Sequence, residues 1–325
     1  MFSSAIVIAA LLGSPVAASL YGQSNLNHSC VLDEPVWSCS KRATPNKVDT
    51  CCSETFGGLV LITQFWDTHT GLEDQGQLLP KNSWTVHGLW PDFCNGSYTQ
   101  YCDLNRQYDP VPWPNTTTGK PDGTPVPPYT GPSIDKLIEP FGAHDLLDWM
   151  NKYWVNLNAP NHELWAHEFS KHATCFSTFD LPCYGPQRVE YEDVLDYFTT
   201  TVAYFRRYPT YDWLARAGIR PSNSTRYSLK HIQRALRRQS GATPYLGCSG
   251  PRFNETEAGK GSKDDGFTVL TEAWYYMHVL GRPQDLHSRP VHPSGSATNC
   301  ATSKNAILYP ERSAGSERAY SRKSV

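Results

Sequence analysis

WTVHGLWPDFC (residues 84–94) and HELWAHEFSKHATC (residues 162–175) decide the reading of this chain. Placed on a helix, the second stretch puts Glu168 three residues before Lys171 and four before His172, so these three share one face. His167 lies about 100° round from Glu168. A carboxylate and an ammonium beside an imidazole hold its orientation and tune its pKa. The lysine also offers positive charge where a reacting phosphoryl oxygen gains negative charge. A zinc protease helix needs histidines four apart. His167 and His172 are five apart, which turns the imidazoles about 140° from one another, and a lysine between them repels a divalent cation. The bland alternative is a solvated helix with surface histidines. The first stretch alternates well enough for a strand with His87 near its end. Gly88 allows close approach of a backbone or ligand. Trp90, Asp92 and Tyr98 offer aromatic faces and a carboxylate suited to a nucleobase. The rival reading, with Trp90 in the core and Asp92 in a turn, has equal weight on these residues alone.

The wider chain sets the context. Its 325 residues, 39% hydrophobic, suit one large domain or two small ones with a sizeable core. A net charge of −2 gives no broad basic footprint for duplex nucleic acid. A short single strand gripped at one site does not need one. Residues 1–20 read as a secretory signal peptide, with an apolar run from Ala5 to Leu12 and small residues Ala17, Ala18 and Ser19 at a cleavage site. The boundary is placed after residue 18. Ten cysteines, without a CxxC pair, fit five disulfides in an oxidising compartment better than a zinc site. Glycosylation sequons stand at Asn27, Asn95, Asn115, Asn223 and Asn254.

Residues 59–66 (LVLITQFW) read as a buried strand, residues 84–89 as a second, and residues 267–279 (FTVLTEAWYYMHV) as a third. Helical spacing runs over residues 133–154 with Ser133 as N-cap, and over 162–171, 189–206 and 211–217. A further helix covers 228–238, capped by Ser228 and stopped by Gly241. The proline-rich segment 108–132 reads as a surface loop. Helices in the middle and strands towards both ends indicate an α+β domain. The catalytic domain is placed at 19–311, followed by a polar, basic and disordered tail at 312–325.

WTVHGLWPDFC and WAHEFSKHATC resemble the two active-site segments of the ribonuclease T2 family, with LITQFWDTH and EAWYYMHV resembling its strands, the fungal branch above all. The likeness runs from about Cys30 to Glu311. It implies a central antiparallel β-sheet flanked by helices. It also implies metal- and cofactor-free cleavage of single-stranded RNA by transesterification, through a 2′,3′-cyclic phosphate to a 3′-phosphate. In that likeness His172 is the general base and His87 the general acid. Glu168 and Lys171 stabilise the phosphorane, and His167 binds phosphate. Trp90, Asp92 and Tyr98 match the primary base site, with Trp165 as an aromatic neighbour on the substrate side. Low base specificity with a purine, chiefly adenine, preference follows from it. So do the pairs Cys30–Cys52, Cys39–Cys94, Cys51–Cys183, Cys102–Cys175 and Cys248–Cys300. Ala173, Phe169 and Leu164 depart from the family pattern, and Leu164 leaves the downstream base site open. The expected protein is a secreted monomer, alternatively vacuolar or lysosome-like, acting on RNA and not on DNA or membranes. A non-catalytic extracellular binder on the same scaffold is the rival class. The complete His, Glu and Lys set argues against it.

Overall fold

The apolar run near the C-terminal end forms strand β5 (Thr268–Val279) in the computed structural model, which describes residues 30–250 and 268–318. The expected signal peptide, Asn27, Asn254 and residues 319–325 lie outside the described residues. β5 pairs antiparallel with β1 (Leu59–Phe65), β4 (Tyr245–Ser249) and β6 (Ser288–Val291). β1 carries β2 (Thr85–Asp92) on its other side, so β2 forms one edge of the sheet. The short β3 (Arg226–Tyr227) pairs with β7 (Ile307–Leu308), which joins β5 in parallel over two residue pairs. The fold is α+β as expected, and that short parallel pairing is the departure from an antiparallel sheet among the described strands.

One face of the sheet is covered by helices α1 (Ile134–Ile138), α2 (His144–Tyr153), α3 (Asn161–Lys171), α4 (Glu192–Arg207), α5 (Thr210–Arg216) and α6 (Leu229–Ser240). Val60, Ile62, Val86, Leu89, Leu270 and Ala273 from the strands meet Leu137, Trp165, Phe169 and Phe198 from the helices in one core. Leu59, Leu61 and Tyr276 point the other way, with Trp90, Tyr245 and Trp274 against them. The single helix expected over 133–154 is two. Pro140 contributes no backbone donor, and Gly142 turns left-handed at φ +69°, so the chain restarts at His144. Ser133 and Ser228 occupy N-cap positions, but neither side chain makes a capping hydrogen bond.

The feature of the sheet that matters most for the site is a β-bulge. Gln64 pairs with Val86 and Thr63 with Gly88, so one step on β1 spans two steps on β2 and His87 is the extra residue. Regular alternation would send Val86 and Leu89 to opposite faces. The bulge lets both enter the helix-side core and leaves His87 and Trp90 together on the other side. Thr63 fixes the irregularity: its hydroxyl accepts from Gly88 N and donates to Gly88 O, each at 3.0 Å. The Trp154 indole donates to His87 O at 2.8 Å.

Five disulfides form with the pairing that the family resemblance implies. Cys39–Cys94 ties down the end of β2, and Cys102–Cys175 closes on the turn after α3. The proline-rich segment has no helix or named strand, as expected, yet it is not merely a surface loop. Asp109 is buried and Val126 N donates to Asn115 O at 2.9 Å. The disordered tail expected from residue 312 is corrected over 312–318. Arg312 lies over the Trp66 ring at 4.2 Å and donates to Asp67 O and Ser83 O. Leu79 N donates to Ser316 O at 2.8 Å. Polar, basic composition concealed a guanidinium whose stem and plane both find partners.

Candidate active site

Two imidazoles converge on one buried carboxylate. His87, from the bulge, brings Nε2 to 3.4 Å from Glu168 Oε1. His172 brings Nε2 to 4.0 Å from Glu168 Oε2. Glu168 itself has no exposed surface. It reaches the sheet across Gly88, where an added Cβ would lie 1.8 Å from Glu168 Oε2. No other residue type leaves that path open.

Trp90 stands between the imidazoles. Its indole donates to Glu168 Oε2 at 2.6 Å, one face stacks on His172 at 4.8 Å, and His87 meets it edge-on at 4.7 Å. The expected base-site tryptophan is thereby part of the centre that orients Glu168 and His172. Half-buried, it is not the ordinary core residue of the rival reading.

α3 ends at Lys171, and His172 follows as its C-cap, still joined by His172 N donating to Glu168 O at 3.1 Å. Lys171 leans to the other side of the helix end. Its Nζ lies 3.4 Å from His167 Nε2 and donates to Trp113 O at 3.1 Å. His167 Nδ1 is 2.8 Å from Asp109 Oδ2, and the Tyr101 hydroxyl donates to the same carboxylate at 2.9 Å. The proline-rich segment therefore supplies a carboxylate and a carbonyl to the helix side of the site.

Burial governs the electrostatics. Burial, with Lys171 and His167 nearby, holds the His87 imidazole well below its ordinary pKa, and burial with the same two cations and His87 does so for His172. Burial lowers Lys171 and raises Glu168, whose bond from Trp90 pulls in the opposite direction. His167 is also lowered by burial, against the pull of Asp109. The site is thus driven towards neutrality. An entering phosphate anion favours the protonated forms of these groups, so binding and protonation are linked.

The other expected site residues fall apart from one another. Asp92 is on β2, and burial raises its pKa to about 7. Tyr98 is exposed. Trp165, expected on the substrate side, is a correction: it is buried in the core and its indole donates to Trp154 O at 2.8 Å. Three-residue spacing from Glu168 does not bring Trp165 to the imidazoles, because its side chain is taken up by the core. Phe169 packs among Tyr108, Tyr197 and Phe198, and Leu164 is half-buried against the core. Sequence reasoning missed Asp109, Phe65, which stacks on His87 at 3.7 Å, and Glu272, whose Oε1 is 3.7 Å from His87 Nδ1. Glu272 had a signal, an acid isolated in an apolar strand. Asp109 had none, lying in a loop 58 residues before its partner.

The Ribonuclease T2 family model matches residues 57–269. A Ribonuclease T2-like 1-A protein of Candida albicans is 33% identical over 95% of this chain and 64% of its own length. A Ribonuclease T2-like protein of Aspergillus fumigatus is 33% identical over 90% of this chain and 60% of its own length, so the chain spans less than two thirds of these two relatives. Ribonuclease Trv of Hypocrea rufa is 36% identical over 78% of this chain and 87% of its own length. Among solved structures, that of Actibind, a T2 ribonuclease, superimposes with a TM-score of 0.65 at 30% identity, covering 88% of this chain and 98% of that one.

Proposed function

This chain belongs to the ribonuclease T2 family, and from that premise we propose that it is an endoribonuclease cleaving single-stranded RNA by metal-free transesterification. The observation that carries the reading is the pair of imidazoles, from a sheet bulge and a helix end, flanking one buried carboxylate. In-line displacement at phosphorus needs a proton removed on one side and another delivered on the other. His172 takes the proton of the ribose 2′-OH as its oxygen attacks phosphorus. His87 gives a proton to the departing 5′-oxygen, leaving a 2′,3′-cyclic phosphate. The roles then reverse, water attacks, and a 3′-phosphate results. Lys171 and His167 supply positive charge to the phosphoryl oxygens, and Glu168 orients both imidazoles. DNA lacks the 2′-OH and is not a substrate.

Single-stranded RNA is the partner of a monomer in this reading, with low base specificity and a purine preference. Asp92 and Tyr98 are the residues through which a base would be read. Secretion, or delivery to a vacuole, is supported by the five disulfides. Asn95, Asn115 and Asn223 are exposed and open to glycosylation; a mass shift on N-glycosidase treatment checks this. The deciding experiment incubates purified protein with single-stranded RNA in EDTA and follows the ends formed. A 2′,3′-cyclic phosphate followed by a 3′-phosphate is expected. Loss of activity in chelator, or equal cleavage of DNA, would overturn the mechanism.

A further inference from the structure

His87 has a second nitrogen that the reaction above does not use. Its Nδ1 is buried and has no hydrogen-bond partner among the described residues, with Glu272 Oε1 3.7 Å away. Glu272 arrives there by register. It pairs with Phe65 across β1 and β5, and Phe65 is the ring stacked on His87. On its other side it pairs with Gly247 of β4, where an added Cβ would stand 2.7 Å from Glu272 Oε2. The missing side chain at 247 gives the carboxylate its space. Nε2 meanwhile faces Glu168.

We infer that Glu272 is the positioning residue for His87, its carboxylate taking the Nδ1–H so that Nε2 is the nitrogen that exchanges protons with substrate. The inference rests on the proposed ribonuclease reading. The 3.7 Å separation is longer than a hydrogen bond. Catalytic hydrogen bonds commonly tighten when substrate binds. As the 2′-oxygen bonds to phosphorus and the bond to the 5′-oxygen breaks, Nε2–H passes to that oxygen. The neutral ring left behind keeps its proton on Nδ1, facing Glu272. This is also the tautomer that removes a proton from water in the hydrolytic step. A carboxylate that fixes the tautomer and stabilises the imidazolium is the same device as the aspartate of a Ser-His-Asp triad.

The charged surroundings show why the device is needed. From α3 and its cap, Glu168 touches His87, and Lys171, His167 and His172 act on it through space, the cations opposing its protonation after burial itself. From β5, Glu272 is the counter-charge. Glu272 in turn faces Asp67, the Trp274 indole and Tyr245, and burial together with Asp67 raises its pKa to about 7. Burial pushes acid and base alike towards neutrality, so in mild acid the pair shares a proton.

The test compares the wild type with Glu272→Gln and Glu272→Ala on two substrates. One is a dinucleoside phosphate, which needs its leaving oxygen protonated. The other is a uridine 3′-(4-nitrophenyl phosphate), whose leaving group hardly does. With the dinucleotide, kcat should fall about 10- to 100-fold, KM stay within about two-fold, and the alkaline limb of kcat move about one unit lower in pH. With the aryl ester kcat should change less than about three-fold. Equal losses on both substrates would mean a structural role and overturn the inference. A second readout needs no turnover: nitrogen-15 NMR of His87 should show the Nδ1–H tautomer in the wild type and a lower pKa in Glu272→Gln. An unchanged titration would overturn the pairing. A wild type that leaves RNA uncut would instead overturn the ribonuclease reading, with the pairing still judged by that titration.

Discussion

His87 and His172 face the same carboxylate but are held by opposite kinds of structure. On the sheet side, one imidazole stands on a bulge, with its backbone carbonyl bonded by Trp154, its neighbour Gly88 bonded twice by Thr63, and Phe65 against its ring. On the helix side, His167, Glu168, Lys171 and His172 sit on or beside the last turn of α3, braced by Asp109 and by the backbone carbonyl of Trp113. The sheet side is positioned by register over long sequence distances. The helix side is positioned by local spacing and tuned by charge. Damage to the first should act through geometry, and damage to the second through electrostatics.

The largest effects should come from the imidazoles themselves. His87→Ala and His172→Ala should each lower kcat on a dinucleotide by roughly a hundred- to ten-thousand-fold. On an aryl ester, His87→Ala should recover most activity and His172→Ala should not, because only the leaving group has been relieved of its need for a proton. Identical profiles would break the assignment of acid to the sheet and base to the helix. Gly88→Ala comes next. The new Cβ would stand 1.8 Å from Glu168 Oε2 and 2.8 Å from Trp90 Nε1, so the Glu168 carboxylate must shift from its place. Overpacking costs about 1–3 kcal/mol, and displacing Glu168 disturbs both imidazoles at once. A clear drop in melting temperature with at least a ten-fold loss of kcat is expected. A fully active, equally stable variant would show that the close approach is not required.

The two sides also differed in how far the sequence disclosed them. Glu168 and His172 were legible because four-residue helical spacing brings them to one face, whereas Lys171, expected on that face, leans to the other side beside His167. The exclusion of a zincin helix followed from the same arithmetic. β1 and β5 were legible from apolar runs and β2 from alternation, whereas the short β3, β6 and β7 carry no such signature. The bulge was not legible, since whether Val86 and Leu89 lie on one face depends on Thr63 and Trp154. Asp109 and Glu272 reach the site only through tertiary structure. Trp165 misled because it lies within the second motif while its side chain packs into the core. The tail misled because composition says nothing of an arginine that finds an aromatic ring and several carbonyls.

A smaller effect tests the sheet side through pH. Burial raises Asp92 from 3.8 to about 7 in the folded protein. The folded state therefore holds a proton that the unfolded chain has released. That contribution to stability is complete below pH 4 and is lost as the pH rises through about 7. Asn cannot ionise. Asp92→Asn should melt with the wild type at pH 3.5 and above it at pH 8, the gap opening between. A gap that does not vary with pH would place Asp92 in contact with water or a cation rather than in an apolar setting.

The smallest effect is expected at Trp113, and it bears on how the helix side is braced. Only the backbone of this residue meets the machinery: its carbonyl accepts from Lys171 Nζ at 3.1 Å and its N–H donates to the Tyr101 hydroxyl at 3.1 Å. The residue is 74% exposed. Alanine keeps both backbone groups, so Trp113→Ala should leave kcat and the pH profile within about two-fold, because truncating an exposed side chain costs little. A change in kcat alone would mean that the indole holds the backbone in place. A ten-fold rise in KM at constant kcat would mean that it meets the RNA, since lost uniform binding moves KM alone. The proline-rich segment would then belong to the substrate cleft as well as to the support of Lys171.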